Sequence, residues 1–188
     1  KDREKMDFSD KPIIVLGANH SGTRVLVEIL SALGSNGGDY DNPWRENKFF
    51  LGLHQQMVDM SSERDWSDKI FGLDFVNDIK LEEDKKASVR EIIQRDLGQA
   101  YPMHASRPWH WKCPTSALFM DFWLETYPDA YYIHISRDPL DVAQSLISRR
   151  QFYTVRSALK FHELMEEKLA RAASARHYLK VEYERLGS

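Results

Sequence analysis

The chain of 188 residues has one cysteine, Cys113, and lacks any long run of apolar residues. A single thiol cannot form an internal disulfide, so a packed core has to stabilise the fold. The longest early aliphatic run is residues 13–16, whereas a helix that crosses a membrane needs ~20 apolar residues. The polar N-terminus does not lead into the apolar segment of a signal peptide. These absences exclude a disulfide-stapled fold and predict a chain without membrane segments.

The sequence also lacks an excess of basic residues. It has 26 Lys and Arg against 29 Asp and Glu, a formal net charge of −3, which argues against a nucleic-acid-binding protein. The seven histidines show no metal-ligand spacing, and no second cysteine accompanies Cys113, so no metal site is expected. The length favours one domain, since domains commonly hold ~100–200 residues. We assign residues 11–188 to it and expect the polar residues 1–10 to be frayed.

Short apolar runs alternate with longer segments of helical periodicity. Strands are predicted at residues 13–16, 109–112, 130–136 and 178–183, and helices at residues 24–33, 46–60, 82–97, 115–127, 139–149 and 153–177. Strands that alternate with helices of ~10 residues or more are typical of parallel sheets. The sequence therefore predicts an α/β fold, a single domain with three layers around a central, mostly parallel sheet.

A turn with two glycines follows the first predicted strand. Residues 17–24 read Gly-Ala-Asn-His-Ser-Gly-Thr-Arg and lead directly into a helix. Glycines let successive N–H groups converge on one anion, and the helix dipole adds partial positive charge. The spacing is that of a P-loop, but Thr23 and Arg24 stand where a P-loop has Lys and Ser or Thr. An anion site is the favoured interpretation, and a plain strand–helix turn is the alternative. The candidate binding residues are Asn19, His20, Ser21, Gly22, Thr23 and Arg24.

A second candidate anion site follows the third predicted strand. Arg137 precedes Asp138 and Pro139, which suit the N-cap and first position of a helix. Ser145 lies about two helical turns further on. Since parallel strands end at one edge of the sheet, Arg137 is expected beside the first turn. A guanidinium and a hydroxyl suit a phosphate monoester. The alternative is an ordinary ion pair of Arg137 with Asp138 or Asp141.

One carboxylate occupies a helix that otherwise reads as buried. Arg24, Glu28 and Ser31 form a polar stripe at positions i, i+4 and i+7 of the helix after the first turn. As a general base, Glu28 would lie above the anion site, at the mouth of a cavity. As a structural residue, it would form an exposed ion pair with Arg24. The spacing alone leaves both interpretations open.

These segments together resemble the sulfotransferases that use 3′-phosphoadenosine 5′-phosphosulfate (PAPS). Residues 17–26 look like the family's P-loop-like 5′-phosphosulfate loop. Residues 136–145 look like its 3′-phosphate motif, with Arg137 and Ser145 at the binding positions. Shorter matches lie at residues 111–114, 127–130 and 181–184, so the ordered set covers residues 12–186. Within the family, the segment around Glu28 most resembles the heparan-type enzymes that act on glycans.

The resemblance implies that a sulfuryl group passes from PAPS to a hydroxyl of an acceptor by in-line displacement, leaving 3′,5′-ADP and requiring no metal. Glu28 is then the general base, while His20 and Lys112 stabilise the transferring group. A carbohydrate is the acceptor expected first, and a small metabolite or a lipid stays open. No nucleic-acid partner is expected, and the oligomeric state is left open. A cytoplasmic location is expected, with a soluble lumenal fragment of a Golgi-type enzyme as the alternative.

Two departures from the family pattern bear on the site. His20 stands where these enzymes usually have Lys or Arg, so only a protonated imidazole would supply the same charge. The family's glycine-rich, basic C-terminal loop is missing before Ser188. Either the sequence is trimmed there or this branch closes its site differently.

Two other functions remain as alternatives at the level of sequence. One is an ATP- and Mg²⁺-dependent P-loop kinase acting on a small molecule. The other is a nucleotide- or glycan-binding module with a degenerate site, which the histidine at position 20 and the missing loop would suit.

Overall fold

Four parallel strands form the centre of the molecule. The computed structural model describes residues 11–40, 43–61, 72–101 and 108–186. The sheet order is β2–β1–β3–β4, where β1 is Ile13–Leu16, β2 is His110–Lys112, β3 is Tyr131–Ser136 and β4 is His177–Glu182. Every pairing is parallel, so the predicted α/β fold with a parallel sheet is confirmed. The expected fraying of residues 1–10 lies outside the described residues.

Side chains on both faces of the sheet are buried, which explains the three layers. Along β1, Ile14 and Leu16 enter the larger core cluster on one face. Val15 points to the other face and packs with Leu26 and Val27 of helix α1, Thr23–Ala32. Alternation along a strand places successive residues on opposite faces. A run of four apolar residues therefore fits a central strand covered by helices on both sides.

Six further helices lie in the described part of the chain. They are α2 Lys48–Ser61, α3 Leu73–Asp78, α4 Glu83–Ala100, α5 Met120–Thr126, α6 Pro139–Ser148 and α7 Val155–Ala170. In α2, the Phe50 ring stacks on Trp111 of β2 with the ring centroids 4.0 Å apart. This stacking holds the start of α2 beside the middle of β2. Among these helices, none is long and apolar enough to cross a bilayer.

Two predicted helices differ from the observed ones. The helix predicted at residues 153–177 ends as α7 at Ala170, and a 3-10 turn, Arg171–Ser174, leads into β4. The helix predicted at residues 115–127 begins as a 3-10 helix, Pro114–Phe119, before α5. In both places a short 3-10 segment adjoins the α-helix and continues the helical periodicity of the sequence, as is common at helix ends.

Candidate functional site

The loop between β1 and α1, residues 17–22, forms a tight turn at the carboxyl edge of the sheet. The backbone N–H and the hydroxyl of Ser21 both donate to the Ala18 carbonyl, at 3.1 and 2.7 Å. Ser21 is fully buried, so its hydroxyl closes the turn. The N–H groups of Thr23 and Arg24, at the start of α1, have no partner within the helix. They are available to an anion, and the helix dipole favours one there.

Gly22 permits a close approach that no other residue would allow. Its φ of 95° lies in the left-handed region, and it is the N-cap of α1. A Cβ at this position would collide with the ring of Tyr183, which follows β4. The chain segment after the edge strand β4 therefore packs directly against the β1–α1 loop, and glycine makes that contact possible.

His20 lies in the same loop among positive charges. It is one of three non-glycine residues of the described chain with positive φ, here 67°, and such strain concentrates at functional sites. Its Nε2 lies 3.0 Å from Oε1 of Gln151. Burial lowers its pKa from the usual 6.5, and the charges of Arg149, Lys112 and Arg137 lower it further against the hydrogen bond to Gln151. The imidazole is therefore mainly neutral at pH 7 in this structure.

Lys112 ends β2 and forms a largely buried ion pair with Glu46. Its Nζ lies 3.2 Å from Glu46 Oε1, and the two side chains are only 4% and 17% exposed. Glu46 lies in the segment just before α2, which the stacking of Phe50 on Trp111 holds beside β2. Lys112 is paired in register with Val15 of β1, the strand that leads into the β1–α1 loop.

Arg137 directly follows β3 and reaches across to the β1–α1 loop. Its Nη1 donates to the His20 carbonyl at 3.4 Å, and its Nη2 lies 3.3 Å from Asp141. The guanidinium carbon lies 4.8 Å from the centre of the Tyr183 ring, a cation–π distance. The Nε of Arg137 is buried and has no hydrogen-bond partner among the described residues. A partly exposed guanidinium with an unused donor can bind an anionic ligand.

The turn from β3 into α6 is built as the sequence predicts. Asp138 is the N-cap, and its Oδ1 accepts from the N–H groups of Leu140 at 2.8 Å and Asp141 at 3.3 Å. The Asp138 N–H donates to Glu184 at 2.9 Å. This bond is the first cause that lowers the pKa of the Glu184 carboxyl. The segment after β4 thus contacts both turns of the site, through Tyr183 and Glu184.

Glu28 lies on the exposed surface of α1. Its Oε1 is 3.3 Å from Arg24 Nε, and the two side chains are 49% and 56% exposed. This is the exposed ion pair expected if Glu28 has a structural role. An exposed pair of this kind contributes little to stability, and it leaves the catalytic role of Glu28 as a prediction.

The structure brings together some of the predicted site residues. His20, Lys112 and Arg137 lie close enough for the charges of Lys112 and Arg137 to influence the His20 pKa. Thr23, which is buried, and Arg24 open α1 next to this group. Asn19 belongs to the loop, and Ser145 lies within α6. No hydrogen bond connects the side chains of Asn19 or Ser145 to the other described residues, so the structure gives no contact that defines their role.

Sequence reasoning missed several residues around this group. Glu46 pairs with Lys112, and Tyr183 covers Gly22 and Arg137. Arg149, at the C-cap of α6, lies with its guanidinium carbon 4.6 Å from the centre of the Trp44 ring. Glu46 and Arg149 reach the site through contacts between distant segments, for which the sequence holds no local signal. For Tyr183, the sequence did hold a signal, the short family match at residues 181–184 that includes Tyr183 and Glu184.

Comparison with known proteins identifies the family. The family whose profile matches the chain is the sulfotransferase family, over residues 12–188. The chain belongs to the sulfotransferase family. Sulfotransfer is accordingly its class of reaction. No curated protein matches the sequence significantly, and a particular subgroup, such as the glycan-modifying enzymes, is not identified by these comparisons.

Two solved sulfotransferase domains share the fold. One is the sulfotransferase domain from the olefin synthase of Synechococcus PCC 7002, at a TM-score of 0.55 and 20% identity, which covers 99% of this chain and 71% of that domain. The other is the sulfotransferase domain from the curacin biosynthetic pathway, at a TM-score of 0.54 and 13% identity, with 94% and 68% covered. At this identity the likeness concerns the fold alone.

The described residues offer neither a set of metal ligands nor a reactive thiol. No group of three His, Cys, Asp or Glu residues able to hold a metal ion occurs in the part of the chain that the structure describes. Cys113, next to Lys112, is buried, and burial raises its thiol pKa to about 12. A thiol with such a pKa is protonated at neutral pH, so it is not a nucleophile here.

Proposed function

We propose that this sulfotransferase moves a sulfuryl group from PAPS to a hydroxyl of an acceptor. The observation that carries the proposal is the convergence of Lys112, Arg137 and Arg149 around His20 of the β1–α1 loop, in a chain whose formal net charge is −3. Positive charge is concentrated where two strand–helix turns meet, although the whole chain is slightly acidic. Such a local concentration favours a small ligand with several negative charges.

The residues of the two turns suit the two ends of this donor. The β1–α1 loop and the start of α1 offer N–H groups for the 5′ side, with Thr23 and Arg24 beside them. Arg137, with its buried and unpartnered Nε, suits the 3′-phosphate, and Ser145 of α6 is proposed as its second donor. PAPS, once bound, supplies an activated sulfuryl group with 3′,5′-ADP as the leaving group. The 3′-phosphate is what distinguishes this donor from ATP.

Lys112 and the loop then stabilise charge that develops during transfer. In sulfuryl transfer, the acceptor oxygen forms a bond to sulfur as the bond between sulfur and the 5′-phosphate oxygen breaks, and the acceptor loses its proton to a base. Lys112 is proposed to stabilise the oxygens that gain negative charge, together with the N–H groups at the start of α1. His20, being mainly neutral, is proposed to act as a hydrogen-bond donor to the same oxygens rather than as a cation.

Two carboxylates are candidates for the base. Glu28, the expectation from the sequence, remains a proposal, although its side chain is half-exposed and paired with Arg24. Glu46 is supported by its position, because its carboxylate contacts Lys112 in a largely buried setting. A base must reach the proton that it removes. The geometry therefore favours Glu46 over Glu28.

A pair of matched variants tests the base. We expect Glu46→Gln to lower kcat by at least about 100-fold, the usual contribution of general base catalysis. We expect Glu28→Gln, the control of the same chemical change on an exposed pair, to stay within about threefold of the wild type. The measurement is the acceptor-dependent release of 3′,5′-ADP from PAPS across a panel of carbohydrate, phenol and lipid alcohols. The reverse order of the two variants would return the role of base to Glu28.

The acceptor class is proposed on narrower grounds. A carbohydrate is proposed first, because the segment around Glu28 resembles the glycan-modifying enzymes. The panel of alcohols decides whether that resemblance extends to the acceptor.

A thermal-shift measurement distinguishes the sulfotransferase from the alternative of an ATP-dependent kinase, since a ligand raises the melting temperature only of a protein that binds it. Stabilisation by 3′,5′-ADP and none by ATP with Mg²⁺ is the expected result.

A further inference from the structure

The ion pair between Lys112 and Glu46 differs from the other ion pairs of the molecule. Among the pairs that Lys and Arg form between described residues, it is the one in which both side chains are less than one-fifth exposed. The pair of Lys86 and Glu125, for comparison, is 11% and 45% exposed. Burying both partners removes two charges from water, a cost that their attraction often fails to offset. Stability alone is therefore a weak reason for this pair.

The Lys112 ammonium interacts with two neighbours in this structure. Glu46 contacts it at 3.2 Å. Its charge also contributes to lowering the pKa of His20 in the β1–α1 loop. Lys112 is thus close both to a carboxylate and to the loop to which the negatively charged donor is proposed to bind. Among the described residues, Glu46 is the carboxylate that pairs with it.

We propose that donor binding exchanges the partner of Lys112, from the carboxylate of Glu46 to the sulfonate of PAPS. This inference rests on the proposed function. A sulfonate next to Lys112 places a second negative charge close to Glu46, and like charges repel at short range in a site with little water. The ammonium then turns toward the sulfonate, and the Glu46 carboxylate loses its cation. Only after the donor has bound does this carboxylate accept a hydrogen bond from the acceptor hydroxyl.

The exchange has a consequence for binding that no purely structural role of Glu46 shares. PAPS has to compete with Glu46 for Lys112, whereas 3′,5′-ADP lacks the sulfonate and does not compete. Glu46 therefore weakens the binding of PAPS but not that of 3′,5′-ADP. Removing its charge is expected to favour the donor over the product.

Isothermal titration calorimetry with both nucleotides, in the absence of acceptor, tests the exchange. For Glu46→Gln we expect the ratio of the Kd of 3′,5′-ADP to the Kd of PAPS to rise about tenfold over the wild type, as for the loss of one screened like-charge contact. Glu125→Gln is the matched control, because it removes the carboxylate from a Lys–Glu pair of α4 and α5. It should leave the ratio unchanged.

The outcomes separate this inference from the proposed function. An unchanged ratio in Glu46→Gln, or an equal weakening of both nucleotides, would overturn the exchange while leaving PAPS as the donor. If neither nucleotide bound the wild type, the proposed function itself would be wrong.

A measurement on the wild type covers the case in which Glu46→Gln does not fold. Crystal structures of the PAPS and the 3′,5′-ADP complexes should differ in the distance between Lys112 Nζ and Glu46. We expect the distance to exceed about 4 Å, the limit of an ion pair, with PAPS and to stay below it with 3′,5′-ADP. An intact pair in the PAPS complex contradicts the exchange.

Discussion

At the scale of single residues, His20 is the position where this sulfotransferase departs most clearly from the pattern that its sequence resembles. A lysine or arginine there would carry a permanent charge. His20 instead lies among Arg149, Lys112 and Arg137, and together with burial these charges keep its pKa below the usual 6.5. The loop thus contributes a neutral hydrogen-bonding group, and the positive charge of the site comes from the residues around it.

The titration of His20 follows from these surroundings. In the nucleotide-free protein, we expect its imidazole to gain a proton only below pH 6.5, because burial and nearby cations disfavour the charged form. Addition of 3′,5′-ADP should raise this midpoint, since an anion favours the imidazolium. NMR titration of the histidine resonances measures both values, with the variant His20→Gln assigning the signal. A midpoint above 6.5 without nucleotide, or a midpoint that falls on adding 3′,5′-ADP, would show that the local charges are arranged differently.

At the scale of elements, the site depends on the contact between the β1–α1 loop and the segment after β4. That segment supplies Tyr183, which packs on Gly22 and Arg137, and Glu184, which accepts a hydrogen bond from the start of α6. The two turns are therefore connected through a third element. Any change that separates Tyr183 from Gly22 should disturb both turns.

Two glycine substitutions isolate this contact. Gly22 and Gly34 have similar positive φ values, 95° and 91°, but a Cβ would meet the Tyr183 ring at Gly22 and nothing within 4 Å at Gly34. Gly34→Ala should cost about 1–2 kcal/mol for the backbone strain alone. Gly22→Ala should cost at least about 1 kcal/mol more and abolish 3′,5′-ADP binding. Denaturant unfolding and calorimetry measure the two effects. Equal losses of stability in the two variants, with binding intact, would mean that the Tyr183 contact is not important.

The central strand β1 was predictable from the sequence because a strand covered on both faces reads as a continuous apolar run. Residues 13–16 match β1 as observed, and the strand predicted at residues 130–136 differs from β3 by one residue. Helix ends were less predictable. The small and polar residues of the 3-10 turn Arg171–Ser174 keep the periodicity of α7, and tertiary contacts with the sheet decide where the helix stops.

The site was predictable only where its residues lie in local turns. Arg137, Gly22 and the N-cap Asp138 lie in strand–helix connections, whose backbone requirements leave a trace in the sequence. Glu46 has no such trace, because its role comes from the packing of Phe50 on Trp111, which sets α2 against β2. The ion pair of Glu28 with Arg24 was one of two interpretations, and spacing along a helix cannot tell an exposed face from the mouth of a cavity.

At the scale of the whole molecule, the parallel sheet gathers the charged ends of several strands at one edge. The chain carries three more acidic than basic residues, yet Lys112 from β2 and Arg137 after β3 meet at the loop that follows β1. This arrangement follows from the topology, since the carboxyl ends of parallel strands share an edge. We propose that this edge binds a nucleotide at both its 3′- and 5′-ends.

Calorimetric titration with 3′,5′-ADP and with AMP tests that claim most directly. We expect the wild type to bind 3′,5′-ADP at least about tenfold more tightly than AMP, because only the former offers a phosphate to Arg137. Arg137→Ala should lose most of this preference while its affinity for AMP changes little. Equal affinities of the wild type for the two nucleotides, or equal losses for both in Arg137→Ala, would contradict the account.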